Sequence, residues 1–420
     1  MSELIITNYY KNFIKTIRHK IESGSYKKIV WFGYSNVLSL VYDYLAADGY
    51  MISAVLDNDK NKWNTGINRN WCMPFTFHYV DIPKEAVDKI VAGKTFPELK
   101  IISPEEFFNR EKELAYTLFL TSSYRKEEIE RQLLSSGVEA ENILCLPTEM
   151  EMWNTACKEI FSKCEEHRKL SDAEHKRMIK HILDDFARFC HRNGLKYYLA
   201  YGTLIGAVRH QGFIPWDDDI DILMPVEDYK FFLKNYRSDS PYHALSVESN
   251  DNYFFPFAKV VDDRTYLHHH GFPITWIQGT YIDIFPMSGY EEGESFESQL
   301  LKHTLLDIEW YWYCIARDVI RKELPDCRNN ILNLKFAKGF YDSKNVGVLT
   351  TIPAKPWILA SRVFGDGTDM MFEGSTYKGP REYDLYLRQI YGDYMKIPPE
   401  EEQRIHGFPS YRRTDEQIEN

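Results

Sequence analysis

The stretch Tyr197–Pro225, YYLAYGTLIGAVRHQGFIPWDDDIDILMP, decides how the whole chain is read. Tyr197 to Ala200 is an aromatic and apolar run that suits a buried strand. The run breaks at Gly202-Thr203, where the Thr203 hydroxyl is expected to cap a short helix over Leu204–Arg209. Gly212 and Pro215 then turn the chain, and Asp219-Ile220-Asp221-Ile222-Leu223 is expected to form a second strand. Alternate residues of a strand share a face, ~6.6 Å apart for i and i+2. Asp219 and Asp221 therefore share one face, with Asp217 joining them if extension starts early, while Ile220 and Ile222 enter a core.

Two carboxylates on one partly buried face repel, by about 4 kcal/mol at 4 Å and an effective dielectric near 20. A proton or a cation has to intervene. Oxygen-only ligands suit a hard divalent cation such as Mg²⁺, or Mn²⁺. A glycine-hydroxyl turn opening a helix just upstream is where an anionic phosphate would sit. The pieces together describe a metal–phosphate site. A calcium loop is excluded: Asp217, Asp219 and Asp221 fit its first, third and fifth positions, but Ile222 stands where glycine is needed and Asp228 where glutamate is.

The segment Gly202–Ile222, GTLIGAVRHQGFIPWDDDIDI, resembles the signature of the LicD family, whose relatives include fukutin-type phosphotransferases. The resemblance implies a nucleotidyltransferase-like fold. It also implies transfer of a phospho-alcohol, such as phosphocholine, from a CDP-activated donor onto a glycan, lipid-linked or free. By it, Gly202 and Thr203 fall on the nucleotide-phosphate turn and Asp219 and Asp221 on the metal-binding pair. Further blocks extend it over about residues 175 to 410. Phe257–Val261 reads as a strand carrying Lys259, with Thr265 downstream, as in LicD relatives. Tyr281-Ile282-Asp283-Ile284-Phe285-Pro286 alternates a single carboxylate with isoleucines. Buried alone that carboxylate would be costly; beside Asp219 and Asp221 it becomes a third metal ligand or a general base. Tyr391-Gly392-Asp393-Tyr394-Met395, after a helix and before prolines, resembles the family's closing motif.

Composition limits the alternatives. A net charge of −11 over 420 residues argues against sequence-independent nucleic-acid binding, which wants a basic stripe. The first twenty residues have no continuous apolar core and no run of 18 apolar residues occurs, so neither a signal peptide nor a membrane span is expected. The 7 cysteines form no Cys-x-x-Cys pair and read as reduced thiols of a cytosolic protein, peripherally attached to a membrane through its substrate.

Along the chain, residues 5 to 22 have helical spacing. Strand Lys28–Phe32, Gly33, a helix Asn36–Ala47, strand Ile52–Leu56 and Asp57 follow in the order of a Rossmann-type half, and further βα units run to Leu146. Only the first glycine of G-x-G-x-x-G is present, so the unit reads as a scaffold more readily than as a nucleotide site. Asp57 fits either a ribose contact or a strand-end turn. Ser171-x-x-Glu174 is a capping box opening an amphipathic helix that Asn193-Gly194 ends. The expected architecture is therefore an α/β Rossmann-like domain over 1–150, followed over 151–420 by an α+β, mixed-sheet catalytic domain of nucleotidyltransferase type. Three adjacent histidines, His268 to His270, cannot face one metal from a strand. Glu294 to Ala337 reads as mostly helical, and Arg404 and His406 are candidate phosphate or acceptor contacts.

The expected chemistry is phosphoryl transfer by positioning and charge neutralisation. Asp219, Asp221 and Asp283 hold the metal, Arg209 and Lys259 steady the leaving nucleotide, and Asp283 takes the proton of a sugar hydroxyl, giving a glycan phosphodiester and CMP. Two other readings stay open: nucleotidyl transfer from an NTP with pyrophosphate as product, and an inactive glycan- or nucleotide-binding scaffold. The sequence leaves the alcohol, the acceptor sugar and the oligomeric state undecided.

Overall fold

The computed structural model describes residues 5–8, 10–65, 99–236, 241–250, 252–253, 255, 257–270, 274–290, 337–348, 358–403 and 409–413. The chain opens with a strand, β1 (Ile5–Asn8), before helix α1 (Tyr10–Ser23). The helix expected from residue 5 thus starts at Tyr10. Ile5-Ile6-Thr7 is β-branched, and it finds an antiparallel partner at Ile277-Trp276-Thr275, so the distant strand outweighs local helical spacing.

The N-terminal sheet is built from β2 (Lys28–Phe32), β3 (Ile52–Leu56), β4 (Ile101–Ile102), β5 (Thr117–Thr121) and β6 (Ile143–Cys145). Helices α2 (Asn36–Ala47), α3 (Pro104–Arg110) and α4 (Lys126–Ser135) connect them. Every pairing is parallel and the order is β4-β3-β2-β5-β6, which reverses between β2 and β5 as in doubly wound sheets. Ligands of such sheets bind at that reversal, and here its polar groups bond one another. Gly33 turns at φ +86°, and a methyl group on it would stand 3.3 Å from Ser123 Cβ; Ser35 Oγ donates to the Ser122 carbonyl. Asp57 accepts from the Tyr34 and Asp59 amides, both at 2.8 Å, and from Lys62 Nζ at 3.1 Å. Its carboxylate is spent on the strand-end turn.

Helix α5 (Glu149–Glu165), with a Thr148–Glu151 capping box, leads to β7 (Arg168–Lys169) and α6 (Asp172–Asn193). The Ser171–Glu174 capping box opens α6 and Gly194, at φ 66°, closes it, as the sequence indicated. Then come β8 (Tyr198–Leu199), α7 (Tyr201–Arg209), β9 (Asp221–Pro225), α8 (Val226–Asn235), β10 (Tyr242–Leu245), β11 (Ala258–His270) and β12 (Ile274–Tyr290). The chain ends through β13 (Asn345–Val348), β14 (Leu359–Ala360), the hairpin β15 (Thr368–Phe372) and β16 (Ser375–Gly379), α9 (Tyr383–Tyr391) and β17 (Ser410–Arg412).

Apart from the β15–β16 hairpin, which is a sheet of its own, these strands and β1 form a mixed sheet of 10 among the described residues, with β14-β13-β12-β11-β17-β7 as its spine and β9 parallel to β12. The α/β unit followed by an α+β, mixed-sheet part is the expected fold class. One face of the sheet (Val260, Ile222, Ile282, Ile284) joins Ile179, Ile182 and Phe186 of α6 in the largest core. Val261 and Trp276, in contrast, pack with Phe13, Ile14 and Ile17 of α1. The N-terminal unit therefore leans on the mixed sheet through α1 and β1. No helix among the described residues is long and apolar enough to cross a membrane.

Candidate active site

Neighbouring strands hold their in-register residues on one face. Asp283 of β12 stands opposite Asp221 of β9 in the parallel pairing and opposite Lys259 of β11 in the antiparallel one. Lys259, Asp283 and Asp221 thus form one row across three strands, while the isoleucines between them go to the core behind. The Ile282–Phe285 segment and the DDDID segment, distant in sequence, are side by side.

Lys259 is 2% exposed. Its Nζ pairs with Asp283 Oδ1 at 2.5 Å and sits 3.5 Å from the Tyr281 ring centroid and 4.8 Å from that of Phe255. Burial pulls its pKa down, and the Asp283 carboxylate works against that pull. Asp221 is pushed well above the ordinary carboxylate range, first by loss of water and then by Asp219, Asp283 and Asp217; Lys259 offsets part of this. Asp221 thus stands among like charges, with the Lys259 ammonium pulling the other way.

Three local expectations are corrected. The strand begins at Asp221, two residues late, because Pro215-Trp216 turns and Asp217 N bonds the Ile214 carbonyl at 2.9 Å. Asp219 lies in the approach to the strand, within the field of Asp221. Helix α7 starts at Tyr201, which takes the left-handed φ of 46°, so Gly202 and Thr203 lie inside its first turn. Thr203 Oγ1 does not cap that helix: it accepts from the Asp221 amide at 2.9 Å and pins the start of β9. Lys259 belongs to a strand running to His270, far longer than Phe257–Val261.

Gly202 is needed for close approach, since a methyl group there would stand 2.4 Å from Asp217 Oδ2. A carboxylate thus lies against the first turn of α7, where the helix dipole favours negative charge. Arg209, at the other end of α7, donates Nη1 to the Tyr394 carbonyl at 2.8 Å and so holds the closing motif.

A cavity of about 190 Å³ adjoins the row. It is lined by the charged side chains Asp218, Asp219, Asp283 and Lys259 and by the aromatic ones Phe255, Phe257, Trp276 and Tyr281, with His175, Leu267 and His269 completing it. His269 stacks on Trp276 with centroids 4.9 Å apart and 12° between planes. Among the described residues no three His, Cys, Asp or Glu side chains form a ready metal cage. Mg²⁺ rarely uses such cages; it takes one or two carboxylates with substrate phosphates and water. The crowded, oxygen-only pair Asp219 and Asp221 fits that habit, with Asp283 beside it.

Sequence reading did not find the aromatic wall, because a bulge between Asp262 and Leu267 shifts the register of β11 and breaks the alternation. Nor did it single out His175, although that residue continues the apolar stripe of α6 one turn before Ile179, an odd place for an imidazole. Arg404, His406 and residues 294–336 of the expected helical segment lie outside the described residues.

Residues 194–311 match the LicD/FKTN/FKRP nucleotidyltransferase domain. The lipopolysaccharide cholinephosphotransferase LicD of Haemophilus influenzae is 29% identical over 263 residues, covering 57% of this chain and 97% of that protein. An uncharacterized protein of Rickettsia typhi, RT0683, is 43% identical over 68 residues, 14% of this chain and 22% of its own length. RP689 of Rickettsia prowazekii, also uncharacterized, is 49% identical over 47 residues, 11% and 18% of the two chains. The matched domain spans the glycine-opened helix, the aspartate approach and the β11–β12 hairpin described above. By this match and its signature residues, the chain carries a LicD-type nucleotidyltransferase domain over 194–311 and is similar to the Haemophilus phosphotransferase over nearly all of that protein's length.

Proposed function

We propose that the chain moves a phosphocholine-like phospho-alcohol from a CDP-activated donor to a hydroxyl of a cell-surface glycan or its precursor, releasing CMP. The observation that supports this best is the row Lys259–Asp283–Asp221, of which Lys259 and Asp283, with nearby Asp219, line a cavity. In this reading Asp219 and Asp221, with Asp283 adjoining, hold Mg²⁺ or Mn²⁺, which neutralises the donor diphosphate. Lys259 keeps the Asp283 carboxylate in place. Asp283 takes the proton of the acceptor hydroxyl as that oxygen bonds phosphorus and the CMP oxygen departs. Gly202 leaves room for the Asp217 carboxylate against the first turn of α7, so the nucleotide phosphates approach that turn through the cation rather than directly. Thr203 and Arg209 serve by fixing β9 and the closing motif.

The Haemophilus relative's name supplies lipopolysaccharide as an acceptor class and choline phosphate as the group moved. An aromatic wall with acidic neighbours suits a quaternary ammonium head. We place the reaction in the cytosol, on a membrane-held glycan precursor, with residues 151–420 as the catalytic domain. The test is CMP release from CDP-choline, CDP-ethanolamine, CDP-glycerol and CDP-ribitol with Mg²⁺, with and without lipopolysaccharide. Acceptor-dependent CMP from CDP-choline is expected. Pyrophosphate from an NTP, or Mg²⁺-dependent binding of every CDP-alcohol without turnover, would overturn the reading.

A further inference from the structure

His175 is 8% exposed and reaches the acidic segment through its backbone rather than its carboxylates. Its Nε2 lies 2.9 Å from the Asp218 carbonyl oxygen and its Nδ1 3.1 Å from Ser410 Oγ. A carbonyl only accepts, so Nε2 carries the hydrogen and Nδ1 accepts from the Ser410 hydroxyl. Burial holds the imidazole pKa below its ordinary value, in keeping with a neutral ring of one tautomer.

The helix and the strand that carry His175 and Ser410 are firm. The histidine stands in the first turns of a helix of 22 residues capped at each terminus, and its own amide bonds the Ser171 carbonyl at 2.9 Å. Ser410 belongs to β17, and its carbonyl accepts from Leu170 at 2.8 Å. The acidic segment that the bridge meets is held on either side of Asp218: Asp217 N donates to the Ile214 carbonyl at 2.9 Å and the Ile220 carbonyl accepts from Asp283 N at 2.8 Å. Asp218 stands between Asp217 and Asp219. Rotation of its peptide would swing both neighbouring carboxylates.

We propose that His175 is a positioning residue for the acidic segment: its Nε2–H fixes the Asp218 peptide and so aims Asp219 at the place beside Asp221. The inference rests on the reading of Asp219 and Asp221 as the cation-binding pair. It uses no titration of the ring. What it requires is a hydrogen at the Nε2 position and nothing else of the imidazole.

Two substitutions separate that requirement from packing. Glutamine places its amide nitrogen near the histidine Nε2 position, and asparagine places its own near Nδ1. His175→Gln therefore keeps the bond to Asp218, and His175→Asn keeps only the bond towards Ser410. Calorimetric Mg²⁺ binding to the full chain, without donor, is expected to weaken about tenfold to a hundredfold in H175N, the cost of losing an outer partner of a metal ligand. It should stay near wild type in H175Q. Amide hydrogen exchange at Asp219 and Ile220 should quicken in H175N and not in H175Q, a readout that needs neither metal nor turnover. Equal Mg²⁺ affinity and equal exchange in the two variants would overturn the positioning role. A wild-type chain that binds no Mg²⁺ sinks the cation reading instead, and the exchange comparison then decides the positioning alone. Were H175N to melt far below H175Q, Ser410→Ala, which spares the Asp218 bond, should leave exchange at Asp219 unchanged; faster exchange there would also overturn the role.

Discussion

Asp57 and Asp221 stand in comparable places, each at a strand end beside a glycine that lets the backbone come close, and their surroundings diverge. Asp57 is 6% exposed, and two backbone amides and Lys62 occupy its oxygens, with Ser35 bonded to the Ser122 carbonyl nearby. Asp221 is crowded by Asp219, Asp283 and Asp217, with Lys259 offsetting part of their effect, and its neighbours Asp219, Asp283 and Lys259 line a cavity. A buried charge whose partners all come from its own chain holds a turn together. Burial and neighbouring carboxylates disfavour the charge of Asp221, a deficit that a bound cation would relieve. On the proposed function that contrast separates a structural aspartate from a functional one, and it can be broken by mutation.

The largest effect is expected at the deficit itself. Asp221→Asn should lower turnover on the order of 10³-fold, comparable to removing a principal transition-state contact, with the fold intact by circular dichroism. Stability should move the other way. The folded pKa of Asp221 is raised, so its contribution to stability is present below the unfolded carboxylate value of about 3.9 and is lost as pH rises through the folded value. Metal-free wild type should therefore weaken towards neutral pH, while metal-free D221N should not. A D221N chain with wild-type turnover would erase the distinction between the two aspartates. Next comes Lys259→Met, which strands the Asp283 carboxylate, its partner only 13% exposed. Denaturant unfolding should show a loss of about 3 kcal/mol, with much of it restored in the double variant K259M/D283N.

How far the sequence reached follows the same division between local and distant partners. The Ser171–Glu174 capping box, the Gly194 terminus and the alternation of Tyr281–Phe285 were legible because each is decided within a few residues. So was the convergence of Asp283 with Asp221, through the resemblance of both segments to family motifs. Thr203 was misread as a cap because its partner is the amide of Asp221, 18 residues on. Strand β1 was misread because Ile5 pairs with Ile277. The aromatic wall depends on a bulge, and a bulge in β11 leaves no periodic trace in composition.

A smaller change sharpens the comparison on the glycine side. Gly202→Ala adds a methyl group 2.4 Å from Asp217 Oδ2, so the carboxylate must move while the helix gains a better former. Turnover should fall about 100-fold, the order expected for a displaced catalytic constellation, with melting temperature unchanged or raised. Unchanged turnover would mean that the place of Asp217 is irrelevant.

The least effect is expected at Asp57. Asp57→Ala leaves two amides and Lys62 without their acceptor and should cost about 1–2 kcal/mol of stability, the range for orphaned buried donors. Because those partners are all internal, KM for the CDP-alcohol and the rate at saturation should not change. A selective rise in KM, without loss of stability, would place nucleotide at the N-terminal sheet after all. Asp57 would then be a ribose contact, and its bonds to the two amides and Lys62 would have to open on binding. The kinetic measurement discriminates because a purely structural aspartate can act on turnover only through the fraction of chains folded, which moves the apparent rate and leaves KM alone.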